Sequence, residues 1–595
     1  RRTLELRYQG VEQSIVIHSP YASDYAATFA AEHQKLYGYV HAGRPLEIVA
    51  ARVEVRGRSG TSPPASHPVA PRSPKPAAAK PMYWSGRWHQ SQVFTRQQLV
   101  PGDTISGPAL VAEASSTTVI DPGWRAEVLS QGELLLERAP EASGDPTAQQ
   151  VALPPTDAAD PVLLEIFNHR LAGIADEMGL TLRHTASSVN VKERLDFSCA
   201  IFTAAGDLVV NAPHIPVHLG AMSETVKHVL ADNGQLRPGD VVVTNDPYHG
   251  GSHLPDVTVI TPVHDAHGEL RFFTASRAHH AEIGGIAPGS MPPDSRNLAE
   301  EGVVIRNFRL FTAGGAHWDE LSALLAAGPY PSRDVATNLA DIQAQVAANR
   351  RGARDLDLLV ERESWAVVSA YMEHIQQAAA EKVSRALSHF SPGTRRFVDH
   401  LDDGSPIAVA VHLADGRAVF DFAGTGAVLP GNLNANRAIT TSAVMYVLRT
   451  LVDEDIPLNQ GVLRPIEIRL PECLLNPPPH PRPEQCAAVA GGNVETSQRV
   501  VDVLLGALEL AAASQGTMNN TIFGNERFGY YETVCGGAGA TEKATGASAV
   551  QTHMTNTRLT DPEIFERRYP VRLWEFAIRR GSGGAGAQPG GDGAV

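Results

Sequence analysis

The sequence has few cysteines, no extended apolar run and no concentration of basic charge. Its four cysteines, Cys199, Cys473, Cys486 and Cys535, are widely scattered over 595 residues, which favours reduced thiols over a disulfide framework. No run of about 18 apolar residues occurs, so we expect no membrane-spanning helix. There are 65 acidic and 50 basic residues, giving a net charge of −15. Without basic runs or basic–aromatic interleaving, we expect no nucleic-acid partner.

Several familiar motifs are also absent. The sequence contains no G-x-S-x-G nucleophile turn, no zinc-finger or His-Glu-x-x-His spacing, and no phosphate-binding or dinucleotide-binding glycine loop. The first residues, Arg1–Leu4, run directly into a strand-like pattern, so we expect no signal peptide and a cytoplasmic location. Because the chain opens within that pattern, we also expect it to be a fragment of a longer protein.

The composition and patterning predict a multidomain protein of mixed α/β (α+β) class. A hydrophobic content of 43% over 595 residues is ample for large cores and several domains. We predict a small β-rich domain over residues 1–135, a linker over 136–159, and a large mixed α/β domain over 160–595. Within the first domain, the Pro/Ala-rich segment 61–81 is predicted to be a linker without regular structure.

Two segments near the middle of the chain concentrate side chains that can bind metal. An apolar run, Val241–Val243, leads into a polar loop that ends at a second apolar run, Val257–Ile260. About one strand and turn later comes Arg277–Gly285. If the strands are neighbours, both polar clusters lie at one sheet edge. The side chains concerned are imidazoles and carboxylates: Asp246, His249, His253, Asp256, His279, His280 and Glu282.

Imidazole and carboxylate ligands suit zinc, manganese, iron or nickel. A metal with an open position can activate water or polarise a carbonyl. The alternative is an ordinary turn, because Asp and Asn are common turn residues and His-Gly-Gly can form a satisfied loop.

The charged run Lys192–Asp196 precedes an apolar strand. It is either a solvated turn with internal ion pairs or a source of a further metal-binding carboxylate, Asp196. Cys199 follows within the strand, where we predict a buried small residue and not a nucleophile.

Two other segments are candidates for substrate binding. His214 and His218 lie among prolines that fix the path of an extended chain. They either line the pocket or form hydrogen bonds in the core. The segment Gly491–Arg499 runs from glycines into a helix, whose amino terminus can hold an anion or can be a close-packed turn. We assign His214, His218, Asn493 and Arg499 to substrate binding.

Residues from about 160 to the end resemble the hydantoinase B/oxoprolinase family. The resemblance is carried by long segments in the same order, namely Lys192–Ala200, Ala212–Met222, Gly251–Asp256, Ala278–Gly285, Pro457–Gly461, Gly491–Arg499 and His553–Arg558. Residues 1–135 resemble the carboxyl-terminal end of the hydantoinase A partner, through Gly107–Val111 and Ser116–Val119.

The resemblance implies opening of 5-oxo-L-proline to L-glutamate coupled to ATP hydrolysis, with ATP and Mg bound by a hydantoinase A-type half. The actin-like ATPase core with its Asp-x-Gly-Gly-Thr loop is missing here, so this chain alone is expected to be inactive. Related acetone carboxylase subunits hold a divalent metal with His and Asp, which implies His253, Asp256 and His279 as ligands of zinc, manganese or a similar ion, and Asp196 as a further candidate. The resemblance also implies a homo-oligomer.

In this mechanism Asp246 or Glu282 is the general base that activates water. Two alternatives stay open. The chain can belong to a hydantoinase or carboxylase that acts on another small cyclic amide or ketone. It can also be a non-catalytic subunit that only docks its partner, in which case it needs no stoichiometric metal.

Overall fold

The computed structural model describes residues 2–9, 11, 13–18, 20, 24–41, 43–55, 69–84, 87–138, 158–212, 215–452, 454 and 459–595. The chain divides into two compact units, one of Arg1–Val53 with Pro155–Val595 and one of Glu54–Pro154. The fold is mixed α/β with a β-rich amino-terminal part, which confirms the predicted class. Within the described ranges, no helix has both the length and the apolar character needed to cross a bilayer.

A small sheet and one helix begin the first unit. The elements are β1 (Arg2–Tyr8), β2 (Ile15–His18), α1 (Tyr25–Tyr37) and β3 (Leu46–Val53), and β1 is the central strand. The alternating pattern of β1 buries Leu6 and Tyr8 against Phe29 of α1. This sheet clusters with residues 155–595, whereas the sequence analysis grouped it with residues up to 135.

In the parts of the second unit that the structure describes, the regular elements are strands and one short turn of 3-10 helix. Its strands are β4 (Ala78–Trp84), β5 (Arg87–Thr95), β6 (Thr104–Ser106), β7 (Ala109–Ala112), β8 (Thr117–Ile120), β9 (Trp124–Val128) and β10 (Leu134–Arg138). They form a four-stranded sheet in the order β4-β5-β7-β8 and a three-stranded sheet in the order β10-β9-β6. Phe94, Val111 and Ile120 are among the residues of the shared core.

The prediction that residues 61–81 hold no regular structure is wrong for its last part. Ala78–Trp84 forms β4, in which Pro81 lies opposite Gln90. β4 is the edge strand of its sheet, and an edge strand tolerates proline because one side makes no ladder hydrogen bonds. Residues 61–68 of that segment, and residues 139–157 of the predicted 136–159 linker, lie outside the described ranges.

The large unit continues with a long helix and a seven-stranded sheet. Its elements up to residue 316 are α2 (Pro161–Thr185), α3 (Val189–Lys192), β11 (Phe197–Thr203), β12 (Leu208–Asn211), α4 (His218–Asn233), β13 (Val241–Thr244), β14 (Asp256–His264), β15 (Leu270–His279), β16 (Phe308–Thr312) and β17 (Gly315–Ala316). The strand order is β12-β11-β15-β14-β13-β16-β17. Asp160 caps α2 as predicted, accepting from the amides of Val162 and Leu163.

The remaining elements complete the core beside the seven-stranded sheet and build a second core. They are α5 (Trp318–Leu325), α6 (Val335–Glu363), α7 (Trp365–Leu387), β18 (Gly393–His400), β19 (Pro406–Ala414), β20 (Arg417–Asp421), α8 (Arg437–Leu451), β21 (Ile466–Arg469), α9 (Ser497–Leu508), β22 (Asn520–Gly524), β23 (Gly529–Thr533), α10 (Pro562–Arg568), β24 (Ile578–Arg579) and β25 (Gly593–Ala594). The helices α7, α8 and α9 bury their apolar faces against the sheet β18-β19-β20-β21. A π-helical turn, Gly492–Thr496, immediately precedes α9.

The two faces of the seven-stranded sheet contact different helices. On one face of β15, Phe273 and Ala275 pack against Met222 of α4. On the other face, the hydroxyl groups of Thr274 and Ser276 donate to backbone carbonyls of α6. Because side chains alternate along a strand, odd-numbered residues of β15 lie towards α4 and even-numbered ones towards α6. This alternation determines which of two neighbouring histidines, His279 or His280, lies next to Asp256 of β14.

Candidate metal centre

The two predicted polar clusters meet where β14 and β15 pair. These strands are antiparallel neighbours, and Asp256 lies directly opposite His279 in their register. His253 lies three residues before Asp256, at the end of the loop that joins β13 to β14. All three side chains are buried. The neighbouring strands that the sequence analysis required are thus present, and they bring the two loops to one sheet edge.

His253, Asp256 and His279 form a compact set of ligand-type atoms. Nδ1 of His253 is 2.9 Å from Oδ2 of Asp256, and Nδ1 of His279 is 3.3 Å from Oδ1 of the same carboxylate. One ligand-type atom from each residue lies within 4.8 Å of the other two. Two ligands of a tetrahedral zinc ion lie about 3.4 Å apart, given metal–ligand distances of about 2.0–2.1 Å. The observed spacings are therefore close to those of a shared cation.

Each of the three residues also has a buried atom without a hydrogen-bond partner among the described residues. These atoms are Nδ1 of His253, Oδ1 of Asp256 and Nε2 of His279. The short His253–Asp256 approach therefore lacks the alignment of a hydrogen bond. An unsatisfied buried polar atom costs roughly 1–3 kcal/mol, and three in one cluster require an explanation. A divalent cation held by Nδ1 of His253 and Oδ1 of Asp256 would satisfy two of them, and His279 offers a third ligand atom close by, so the residues present fit a metal.

Further polar groups orient the triad. His218, at the start of α4, places Nε2 3.3 Å from Oδ2 of Asp256, while its Nδ1 is 3.0 Å from Oγ of Ser198. Ser252 donates a short hydrogen bond to the Asp256 carboxylate. Nδ2 of Asn493, in the π-helical turn, lies 3.4 Å from Nε2 of His253. Such outer contacts fix ring orientation and ligand basicity.

Buried aromatic and charged side chains form a network that contacts His279. Its ring stacks on Tyr531 with a centroid separation of 4.5 Å, and the guanidinium of Arg194 lies over the same tyrosine ring at 4.7 Å. Arg194 is paired with Glu532 at 2.9 Å and approaches Asp196 at 3.7 Å. The Asp196 carbonyl accepts from the amide of His279 at 2.9 Å. The solvated-turn interpretation of Lys192–Asp196 is therefore wrong, because Lys192, Arg194 and Asp196 are all buried.

The environment favours the protonation states that a metal requires. Burial alone would raise the pKa of Asp256, but the nearby His253 and His218 outweigh it and hold that pKa well below its usual value. Burial lowers the pKa of His279, and Asp196 opposes this only in part. Near neutral pH Asp256 is therefore a carboxylate and His279 a neutral imidazole. Metal ligands must be in these deprotonated forms.

The cavity at the triad is small. It encloses about 10 Å³ and is lined by residues that include Asp196, His218, Asp256, His279 and Asn493. A space of about 10–15 Å³ holds one water-sized particle, so it suits an ion and not a ring-shaped substrate. A larger cavity of about 370 Å³ is lined by Val494, the residue after Asn493, and by Glu495 and Arg499.

Three of the other predicted site residues, Asp246, Glu282 and Arg499, make their ion pairs outside the triad. Asp246 caps the turn Pro247–His249 and pairs closely with Arg306. Glu282 pairs with Arg333 at 3.1 Å and lines a separate cavity. Arg499 approaches Asp399 at 3.8 Å and Asp402 at 3.6 Å in the larger cavity. His214 lies outside the described residues. Cys199 is buried, as predicted, and burial raises the pKa of its thiol.

Sequence reasoning missed three buried groups, Ser252, Arg277 and Glu301. Arg277 donates to Thr258 and to Ser252, so it supports the hydroxyl that contacts Asp256. A single arginine within the otherwise uncharged run from Phe272 to Ala278 was the available signal. Glu301 accepts from the backbone amides of residues 489 and 490, just before the π-helical turn. Nothing in its local sequence distinguishes it from an exposed glutamate.

Ser252→Ala tests the support of Asp256. Loss of the hydroxyl removes a hydrogen bond to the carboxylate and one acceptor for Arg277, so metal affinity should fall about 10–100-fold. A titration of metal-free protein with Zn²⁺ against a competing chelator measures the change. Ser223→Ala is the matched control, because that buried hydroxyl donates to Gly206 instead. An unchanged Zn²⁺ affinity in Ser252→Ala would show that Ser252 does not support metal binding.

Glu301→Gln tests a pH effect on stability. Burial raises the pKa of Glu301 to about 7, and its hydrogen bonds oppose this only in part. The folded protein therefore holds a proton that the unfolded chain releases near pH 4.5, and this stabilisation is lost as the pH rises through about 7. The unfolding free energy of the wild type relative to the variant should fall by about 2.5 kcal/mol between pH 5 and 8. Urea unfolding of metal-free protein at both pH values measures this, and a constant difference would contradict it.

Comparisons with known proteins match two family models along the chain. Residues 160–595 match the family Hydantoinase B/oxoprolinase, and residues 5–135 match the Hydantoinase/oxoprolinase C-terminal domain. Across its whole length the chain is 46% identical to 5-oxoprolinase 1 of Arabidopsis thaliana, covering 48% of that protein. It is 42% identical to 5-oxoprolinase of Saccharomyces cerevisiae, covering 49% of it. The chain thus spans about half the length of these relatives.

A solved structure shares the fold. The ATP-dependent caprolactamase from Pseudomonas jessenii superposes with a TM-score of 0.67 at 25% identity, over 74% of this chain and 78% of that one. Each of the two 5-oxoprolinases is one chain that contains the matched region. A separate chain as the ATPase partner therefore has no support from these comparisons.

Proposed function

Because this chain belongs to the hydantoinase B/oxoprolinase family, we propose that it forms part of an ATP-dependent cyclic amidohydrolase that opens 5-oxo-L-proline to L-glutamate. The observation that carries the proposal is the buried triad of His253, Asp256 and His279, each with an atom that has no hydrogen-bond partner in the part of the chain that the structure describes. The triad lies within the region that matches the family. The 46% identity to a 5-oxoprolinase favours this substrate over other cyclic amides.

We assign His253, Asp256 and His279 as the residues that would hold a divalent ion of the zinc or manganese type, and Asp196 as a further carboxylate beside them. When bound, the ion supplies a Lewis acid that can polarise a carbonyl or lower the pKa of water. The chain's own contribution is to hold Asp256 ionised and His279 neutral in a site from which bulk water is excluded.

The proposed reaction uses ATP because amide resonance protects the lactam carbonyl. Transfer of the γ-phosphoryl group to the amide oxygen gives an imidate phosphate and ADP. Water adds to the carbon, the C–N bond breaks, and nitrogen takes up a proton as the amine leaves. The acyl phosphate that remains is hydrolysed by a second water to a carboxylate and phosphate. Exclusion of bulk water protects these intermediates, which suits the enclosed setting of the triad.

The larger cavity beside Asn493 is the proposed substrate site. Its volume of about 370 Å³ falls within the range of about 300–1,000 Å³ that is usual for small-molecule sites. Arg499 lines it and contacts two aspartates only loosely, at 3.6 and 3.8 Å, so its guanidinium can take the carboxylate of 5-oxoproline. Asn493 links this cavity to His253, and His218 holds Asp256 from the other side. His214 is retained as a candidate substrate contact.

Asp246 and Glu282 remain the candidate general bases. Each is held by an arginine, Arg306 or Arg333, so a base role requires release of that pair on substrate binding. Burial raises the pKa of Glu282, and Arg333 opposes the shift. A carboxylate with a raised pKa is a stronger base, which favours Glu282 of the two.

The domain division is also part of the proposal. We assign residues 1–135 to a hydantoinase A-like end, 136–159 to a linker and 160–595 to the catalytic part. ATP and Mg²⁺ would bind in the half of the 5-oxoprolinases that this chain does not match.

The deciding experiment is an assay of the full-length protein for ATP-dependent glutamate release from 5-oxoproline, with hydantoin and caprolactam as competing substrates. Glutamate and ADP formed in equal amounts would support the proposal, and removal of metal by a chelator should abolish both. Turnover of hydantoin or caprolactam without turnover of 5-oxoproline would show that 5-oxoproline is not the substrate. A protein without stoichiometric metal and without any turnover would instead be a non-catalytic assembly subunit.

A further inference from the structure

A second group of imidazole and carboxylate side chains lies on α4, away from the triad. His228 and Asp232 are four residues apart on this helix, so they share one face. His249, in the turn that follows β13, lies against that face. The three residues offer ligand atoms that all lie within 4.8 Å of one another, and they are half-buried or exposed. No part of the proposed reaction uses them.

The distances within this group match those around a single ion. Nδ1 of His249 lies 3.0 Å from Oδ2 of Asp232, and the rings of His228 and His249 have centroids 5.5 Å apart. Two ligands of a tetrahedral ion lie about 3.4 Å apart, for metal–ligand distances of about 2.0–2.2 Å. Since the side chains of His249 and Asp232 are 26% and 36% exposed, small rotations can make the required adjustment without repacking a core.

Neighbouring groups hold the carboxylate in place and leave one imidazole available. Nδ2 of Asn307 donates to Oδ2 of Asp232 at 2.8 Å, the kind of outer contact that orients a metal-binding carboxylate. Within the described ranges, no hydrogen bond engages the His228 ring. An ion pair between His249 and Asp232 alone does not explain why a second imidazole lies beside it.

We propose that His228, Asp232 and His249 form a second divalent-cation site, open to solvent and separate from the triad. Two imidazoles and one carboxylate suit zinc, cobalt, nickel or copper, and not calcium or magnesium, which prefer oxygen ligands. Partial exposure leaves room for water to complete the coordination.

The position of this second site gives it a structural consequence. Its ligands join α4 to the loop between β13 and β14. The same two elements carry His218 and His253 of the inner cluster, and Asp256 follows the loop as the first residue of β14. A bound ion therefore ties the loop that supplies His253 to the helix that begins with His218. Binding should raise the melting temperature of the protein, because the ion stabilises only the folded state.

Metal stoichiometry measured on four forms of the purified protein tests the proposal. The forms are the wild type, His249→Ala, His253→Ala and the double variant, each dialysed to equilibrium against micromolar Zn²⁺ and analysed by mass spectrometry. We expect two ions per chain in the wild type, one in each single variant and none in the double variant. The Co²⁺-loaded His253→Ala protein should show the visible absorption of a nitrogen- and oxygen-ligated ion, and His249→Ala should remove it.

Controls separate this site from misfolding and from the inner site. Asp232→Asn, on an exposed part of α4, should lose the same ion, whereas His267→Ala, which removes an exposed histidine of the β14–β15 turn, should keep it. A zinc content that is unchanged by both His249→Ala and Asp232→Asn would overturn the second site. A wild type with one ion that survives His253→Ala but not His249→Ala would support this site and count against the proposed inner centre.

Discussion

Replacing His253 with alanine should abolish metal binding at the triad and lower ATP-dependent ring opening by about 10³-fold or more. A metal ion contributes several kcal/mol of charge stabilisation to a transition state, and each 1.4 kcal/mol corresponds to about a factor of ten in rate. The remaining histidine and aspartate give too few ligands to retain the ion. The measurements are metal content and the rate of glutamate formation from 5-oxoproline in the same preparation.

The control for this variant is His264→Ala. His264 ends the strand that begins with Asp256, and its Nε2 lies 3.1 Å from the carbonyl oxygen of Leu236. This variant should keep its metal and its rate. If His253→Ala folds, as judged by circular dichroism, and keeps both metal and activity, His253 is not a ligand. Loss of activity with full metal content would point to a role for His253 in substrate binding instead.

Replacing Arg194 with methionine should lower the free energy of unfolding by about 3–5 kcal/mol, because the change leaves buried carboxylates without a counter-charge. Arg194 is fully buried, pairs with Glu532 at 2.9 Å and lies 3.7 Å from Asp196. It also donates to the Tyr531 carbonyl and the Thr533 hydroxyl. Methionine preserves much of the volume, so the loss measures charge and hydrogen bonding more than packing. Denaturant unfolding of the metal-free protein gives the value.

Arg395→Met provides the comparison. Arg395 pairs at 3.5 Å with Glu509, whose side chain is 83% exposed. Exposed ion pairs contribute at most about 1 kcal/mol, so this variant should unfold close to the wild type. Equal losses of unfolding free energy in the two variants would contradict the stabilising role that the geometry indicates for the Arg194 network. A loss of zinc affinity in Arg194→Met alone would extend its role to the orientation of His279 through Tyr531.

The triad could be predicted because it depends on local structure. The apolar runs before and after the loop form β13 and β14, and the next strand returns beside them as a hairpin. The residue pattern alone did not distinguish His279 from His280 as the partner of Asp256, and His279 was chosen through the family resemblance. In the structure the choice follows from the pairing of Asp256 with His279 and from strand alternation, which directs His280 towards Gln345 and Asn338 of α6.

The remainder of the site depends on long-range packing. The partners of Arg194 on β23 lie more than 330 residues away in the chain, so local sequence could not distinguish a buried network from a solvated turn. Asn493 and Arg499 were assigned together from one segment. Asn493 lies in the π-helical turn and Arg499 in α9, and the two side chains line different cavities.

The most direct test of the account is anomalous diffraction from crystals of the zinc-loaded protein, recorded above and below the zinc absorption edge. The account predicts a zinc peak between β14 and β15, bonded at about 2.0–2.2 Å to one nitrogen each of His253 and His279 and to a carboxylate oxygen of Asp256. An ordered site without such a peak, or zinc bound only at His228, Asp232 and His249, would contradict it.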